Sequence, residues 1–218
     1  MRPRNMLLFL ILTSTQALAN PPALDYWESN PKIWREMREE RRIFVSAKNE
    51  NGQTFSKGAG FVRGTPQDIW NFATNPDKIV KSSRFLKSFT WDKTTGLVEM
   101  QIELLMIKYR LRGKATERPD PENPRITLEV HEGTIVPFNS ELEIRSAAAQ
   151  KLREGAPEFS SDLTLVKLTG ASSKDRALSW PLRVALEAVL QRSAGHLRDA
   201  VEAEVSRSKS EESQSPAR

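Results

Sequence analysis

Apolar and polar positions alternate through the middle of the chain. Val98, Met100, Ile102 and Leu104 are separated by Glu99, Gln101 and Glu103. Period-two alternation of this kind marks a strand with one buried face. Past Met106 the parity reverses, with Ile107, Tyr109 and Leu111 apolar and Lys108, Arg110 and Arg112 polar. A strand cannot exchange its buried face without an extra residue, so a bulge or tight turn is expected at Leu105–Met106. Ile126, Leu128 and Val130 alternate against Thr127, Glu129 and His131, and Leu142 and Ile144 against Glu141, Glu143 and Arg145. The last strand is expected from about Phe159 to Leu168, with Leu163 and Leu165 inward. Residues 147 to 157 read as a loop, or a short helix from Ala147 to Arg153.

The flanks change period. Ile43, Val45 and Ala47 alternate up to Asn51-Gly52, a strong hairpin-turn pair, and Thr54 to Arg63 form the return strand. Thr65-Pro66-Gln67-Asp68 places Thr at an N-cap, Pro at the first helical position and Asp at the third. The helix it opens carries Ile69, Trp70 and Phe72, and Asn75-Pro76 leads into a second short helix from Asp77 to about Ser83. A strand from Phe85 to Trp91 and a turn near Asp92 to Gly96 follow. Upstream, residues from about Leu24 to Arg42 read as a helix. Ser29 or Asn30 is its cap, Pro31 suits its first turn, and Tyr26, Trp27, Ile33, Trp34 and Met37 form its apolar side. Two Trp on so short a helix predict docking onto a domain. Downstream of a polar loop from Gly170 to Asp175, Ser179 or Trp180 caps a long helix with Pro181 at its first position. Its apolar stripe is Leu182, Leu186, Val189, Leu190, Leu197, Val201 and Val205, ending near Arg207.

Strands clustered between helices predict an antiparallel α+β layer fold. The stretch Gly60-Phe-Val-Arg-Gly-Thr-Pro-Gln-Asp-Ile-Trp70, with Asn75-Pro-Asp77, Phe85 and the early Trp34, resembles the START-like, helix-grip superfamily. That group includes the polyketide-cyclase/lipid-transport and coenzyme-Q-binding START families. The resemblance spans about Ile33 to Val205. It implies a curved antiparallel sheet wrapped around a long C-terminal helix, with two short helices after the second strand and a cavity between sheet and helix. On that reading Val98, Met100, Ile102, Leu104, Tyr109, Leu111, Ile126, Leu128, Val130, Leu142 and Ile144 line the concave side. Leu182, Leu186, Val189 and Leu190 cover it. An apolar pocket with few polar groups suits a lipid or an isoprenoid-quinone-like molecule. Periodicity shows only which side chains turn inward, so a filled core remains the alternative.

Composition narrows the chemistry. The 218 residues include no Cys and two His, His131 and His196, with 33 Lys and Arg against 28 Asp and Glu. A disulfide framework, a thiolate nucleophile and a His-rich metal site are thereby excluded. No serine-nucleophile elbow, zinc-binding His pair or phosphate-binding Gly loop is present, so no catalytic residue and no cofactor are assigned. The basic excess contains no Lys/Arg block and no nucleic-acid motif, which argues against nucleic acid as a partner. Lys108, Arg110, Arg112 and Lys114 alternate along one strand. They are read either as a solvated face that resists edge aggregation or as a transient contact for anionic lipid headgroups.

Met1-Arg-Pro-Arg-Asn, the apolar run Met6 to Leu12 and Ala17-Leu-Ala19 match a signal peptide with its cleavage site. The expected organisation is a signal peptide at 1–19, an N-terminal helical segment at 20–42, a START-like domain at 43–207 and a disordered tail at 208–218. The protein is accordingly expected in the periplasm or the medium. Three readings stand: a carrier of a hydrophobic small molecule, an envelope interaction protein with a filled core, or a cyclase- or hydrolase-like enzyme on an apolar substrate. Oligomeric state is not written in the sequence.

Overall fold

The computed structural model describes residues 30–104, 107–121, 123–133, 137–146 and 162–214. In chain order the elements are α1 (Pro31–Glu39), β1 (Phe44–Glu50), β2 (Gln53–Arg63), α2 (Pro66–Ala73), α3 (Pro76–Ser82), β3 (Leu86–Trp91), β4 (Leu97–Leu104), β5 (Ile107–Arg118), β6 (Arg125–Gly133), β7 (Phe138–Ser146), β8 (Leu163–Ser172) and α4 (Trp180–Gln214). All eight strands form one curved antiparallel sheet in the order β1-β2-β8-β7-β6-β5-β4-β3. The sheet is open, and α2 and α3 carry the chain from β2 to β3 at its opposite edge.

Local chemistry accounts for the helix starts. The Asn30 side chain accepts from the backbone N–H groups of Lys32 and Ile33, with Pro31 at the first position. Thr65 and Asp68 form a reciprocal capping box, which satisfies two backbone donors left without intrahelical partners. Asn75 accepts from the N–H of Lys78. The hairpin between β1 and β2 turns through Asn51 and Gly52, both at positive φ (49° and 76°), the conformation that a two-residue turn of this kind requires.

Two apolar layers flank the sheet. On the concave side Val62, Ile69, Phe72, Ile144 and Val201 form a buried cluster, with Leu142, Val166, Leu197 and Val205 packed against it. On the convex side α1 sits over β1, β2 and β8. Met37, Ala59, Phe61 and Leu165 are buried together there, with Ile33, Trp34, Phe44 and Leu163 around them. The Trp34 and Phe61 rings meet edge to face at 5.5 Å, a preferred aromatic geometry. The expected docking of this helix is therefore observed at Trp34; Trp27 lies outside the described residues.

Three expectations need correction. Leu163 and Leu165 are buried on the convex face under α1, not toward the concavity, which receives Val166. A strand covered on both sides has no polar face to give its orientation away. That strand also runs later than expected, from Leu163 to Ser172; Phe159 and residues 147–157 lie outside the described residues. Of the two alternatives expected at Leu105–Met106, the pairing of Leu104 with Ile107 bears out the tight turn. The bulge lies farther on, where Arg112 opposes Glu132 and Gly113 opposes Val130, leaving His131 as the extra residue. Finally, α4 continues beyond Arg207 to Gln214. Ser206, Ser208 and Ser210 hydroxyls donate to the carbonyls of Glu202, Glu204 and Ser206. The extension is polar, so an apolar stripe gives no sign of it.

The two layers yield separate tests of this architecture. Leu165→Ala should unfold α1 from the convex face and Ile144→Ala should loosen the seat of α4. Each is expected to cost about 2–5 kcal/mol in denaturant unfolding, whereas an exposed control such as Thr94→Ala should change little.

Candidate functional site

Register places the predicted lining on one face. Val98, Met100 and Ile102 of β4 stand opposite Gly113, Leu111 and Tyr109 of β5. Val130 and Leu128 of β6 stand opposite Gly113 and Ala115. Leu142 of β7 opposes Ile126 on one side, and Ile144 opposes Val166 on the other. This is the face on which α4 lies, because Leu142 and Ile144 share the concave cluster with Leu197 and Val201. Phe89 and Trp91 of β3, opposite Met100 and Val98, belong to the same wall and were missed. Their alternation with Ser88 and Thr90 was the available signal. The side chain of Leu104 lies outside the described residues.

The wall is not uniform. Val98, Leu111, Val130 and Ile144 are fully buried, while Met100, Ile102, Tyr109, Leu128 and Leu142 are half-buried. The helix shows the same gradient along its length. Val201 is buried and Leu197 and Val205 pack in the cluster. Toward the N-terminus Leu186, Val189 and Leu190 are half-buried, and Leu182 is 58% exposed. The apolar stripe thus leaves the sealed core and continues along the helix with its side chains only partly covered.

Polar bonds fix the helix in this tilt. Glu202 accepts from the Arg63 backbone N–H at 2.9 Å and from the Arg41 guanidinium, and Arg198 donates to the Arg41 carbonyl. Farther up, Glu187 accepts from the Ala47 N–H at 2.6 Å, and Leu178 is tied to Thr54 and Asn49. Burial, with the charges of Arg63 and Arg198, lowers the pKa of Arg41 from its usual value. All these anchors lie toward β1 and β2, and none is to β3, β4 or β5. His196 lies on the helix near the apolar stripe, and its Nε2 is buried without a hydrogen-bond partner among the described residues.

The cationic strip faces the other way. Lys108, Arg110, Arg112 and Lys114 are exposed and paired in register with Glu103, Gln101, Glu99 and Leu97. Arg112 donates to Glu99 at 2.7 Å and lies 3.7 Å from Glu132, and the hydrogen bond and both charges raise its pKa. Arg110 and Arg112, with Ser88, Thr90, Glu99, Gln101, Glu132 and parts of Met100, Leu111 and Gly133, border an open recess of about 400 Å³. Farther along that face Arg125 and Arg145 both reach Glu143. Burial pushes the Glu143 carboxyl up, but hydrogen bonds from Arg145 and Asn123 and the charge of Arg125 outweigh it and hold it below the usual range. Among the described residues no group of His, Asp and Glu is arranged to hold a metal ion, and no helix is long and apolar enough to cross a membrane.

Comparison with solved structures identifies the fold. The chain is similar to a START superfamily protein from Mycobacterium smegmatis, with TM-score 0.50, 10% identity, and 70% of this chain and 97% of that one covered. It is similar to the Zhui aromatase/cyclase from Streptomyces sp. R1128, with TM-score 0.52, 15% identity and coverage of 71% and 94%. The protein XoxI from Bacillus cereus matches at TM-score 0.51, 11% identity and coverage of 67% and 94%. The chain therefore has the START-like, helix-grip fold. No protein-family model matches it, and no curated protein does.

The Glu143 cluster gives a pH test. A carboxyl held low in the folded state adds stability above its unfolded pKa of about 4.3, and that stability disappears as the pH falls. Glu143→Gln should be less stable than the parent at pH 7, with the gap closing toward about pH 3 as the parent's carboxyl takes up its proton. A gap that does not change with pH would show that the arginines contribute nothing through charge.

Proposed function

We propose that the protein is an exported carrier that holds a hydrophobic small molecule, of lipid or isoprenoid-quinone type, between the concave sheet and the N-terminal half of α4. The observation that carries this reading is the partly covered stripe. Leu182, Leu186, Val189 and Leu190 continue the line of Leu197 and Val201, with Leu186, Val189 and Leu190 half-buried and Leu182 exposed. On the same face Met100, Ile102, Tyr109 and Leu128 are also left half-buried. Apolar groups on both walls gain from removing a guest's surface from water, by roughly 0.8 kcal/mol per CH₂. A long-chain ligand is held by that contact without a charged anchor. The START-like fold supports the reading, since other proteins use this architecture for apolar ligands. The leading segment 1–19 supports the export half of it. The strip of Lys108, Arg110, Arg112 and Lys114 offers cationic groups to lipid headgroups during transfer, although Glu99 and Glu132 offset much of the charge of Arg112.

Titration with fluorescent fatty acids of increasing length tests the carrier. Affinity should rise about fourfold per added CH₂ until the trough is filled. Ile102→Trp, which fills the wall without adding charge, should weaken binding at least tenfold while the protein stays folded. Absence of saturable binding across fatty acids, phospholipids and quinones would instead favour a filled-core interaction protein. Export is checked separately by mass spectrometry of the processed chain: the expected N-terminus is Asn20, and an intact Met1 removes that half of the proposal.

A further inference from the structure

The exposed large apolar side chains are not scattered. Trp180 (68% exposed), Leu182 (58%), Val184 (44%) and Ile107 (55%) account for four of the five among the described residues. The fold brings these four to one end of the molecule. Leu178, just before α4, is bonded to Thr54 and Asn49 beside the β1–β2 turn. At that end β8 finishes, with Ala171 opposite Phe55, and β7 begins, with Phe138 opposite Ser172. Val130 of β6 opposes Phe138, Gly133 opposes Leu111, and β5 starts beyond them at Ile107. The first turns of α4 and the β4–β5 tip therefore share an end, while β2 runs into α2 at the opposite one. The fifth residue, Leu97, lies away from this face, at the β3–β4 turn.

The first turns of α4 are apolar on both sides, because Trp180 and Val184 point away from the stripe that Leu182 begins. Cations accompany them. Lys174, Arg176 and Arg183 flank Trp180 against the one carboxylate of Asp175, and Lys108, in register with Glu103, is exposed beside Ile107. Trp and aliphatic side chains ringed by Lys and Arg match the chemistry of the headgroup boundary of a membrane. Excess positive charge selects an anionic surface.

We propose that this end is a membrane-docking face that seats Trp180, Val184 and Ile107 in the headgroup layer of an anionic bilayer, with Lys174, Arg176, Arg183 and Lys108 on its phosphates. It extends the carrier reading, and rests on it for its purpose: the docked face is the end at which the half-covered stripe of α4 begins, so a guest passes between bilayer and trough without crossing water. The outer strip at Arg112 and Lys114 is not needed for this contact.

Vesicle co-sedimentation tests it. The protein, with the N-terminus it carries when purified, should bind vesicles rich in phosphatidylglycerol more tightly than pure phosphatidylcholine, and less tightly as salt rises. Trp180→Ala/Val184→Ser/Ile107→Ser changes only exposed positions, Ile107 at the rim of the concave wall and the other two outside it, and should lower binding at least tenfold. Lys174→Glu or Arg176→Glu should lower it by about fivefold or more each. Leu97→Ser should leave it unchanged. Brominated lipid should quench emission in the parent, and Trp180→Phe should remove that quenching. Wild-type binding by the triple variant, or quenching that survives Trp180→Phe, overturns the proposal. So does self-association of the parent that the triple variant abolishes, which would make this face a subunit interface. Loss of fatty-acid binding in vesicle-free solution with vesicle binding intact would sink the carrier reading and support this surface on its own.

Discussion

The seating of α4 by its C-terminal half is the constraint on which the other features depend. Val201, Leu197 and Val205 enter the cluster of Val62, Ile69, Phe72 and Ile144, and Glu202 ties the same stretch to Arg63 and Arg41. Hydrophobic burial sets the position of the helix, and the half-buried Glu202 carboxylate, bonded to the Arg63 N–H and the Arg41 guanidinium, fixes its rotation. The polar ties farther up run to the β1–β2 side. No polar tie among those named draws the far wall of the curved sheet onto the helix, and its apolar side chains Met100, Ile102 and Tyr109 stay half-buried.

The convex layer makes that asymmetry tolerable. With α1 packed across β1, β2 and β8 through Met37, Trp34, Phe61 and Leu165, these strands are buried on both faces. They form a rigid base for the helix. Strands β3 to β5 have only their concave side apolar, and their outer side is a lattice of cross-strand charges such as Arg112 with Glu99 and Glu132. The molecule is therefore most densely packed where the helix is seated and more thinly covered along β3 to β5.

Much of this was legible in the residues. The capping box of Thr65 and Asp68, the Pro31 start and the Asn51-Gly52 turn are local signals that depend only on a few neighbouring backbone groups, and all three formed as read. The concave face of β4 to β7 followed from period-two alternation because those strands have one wet side. The same logic failed on β8, where Leu163 and Leu165 turned out to lie under α1. It failed again at the end of α4, where serine back-bonding and helix-forming residues extend the helix without any apolar partner.

By itself the sequence determined the element order, the turns and which side chains leave water, since these depend on spacing and on short-range chemistry. Only the tertiary structure decided which of two buried faces each apolar residue serves and how far α4 extends. It also decided that Trp180, Val184 and Ile107, far apart in the chain, lie at the same end of the sheet. Those outcomes depend on contacts between segments far apart in the chain, such as Arg41 with Glu202, 161 residues on, and no local pattern carries that information.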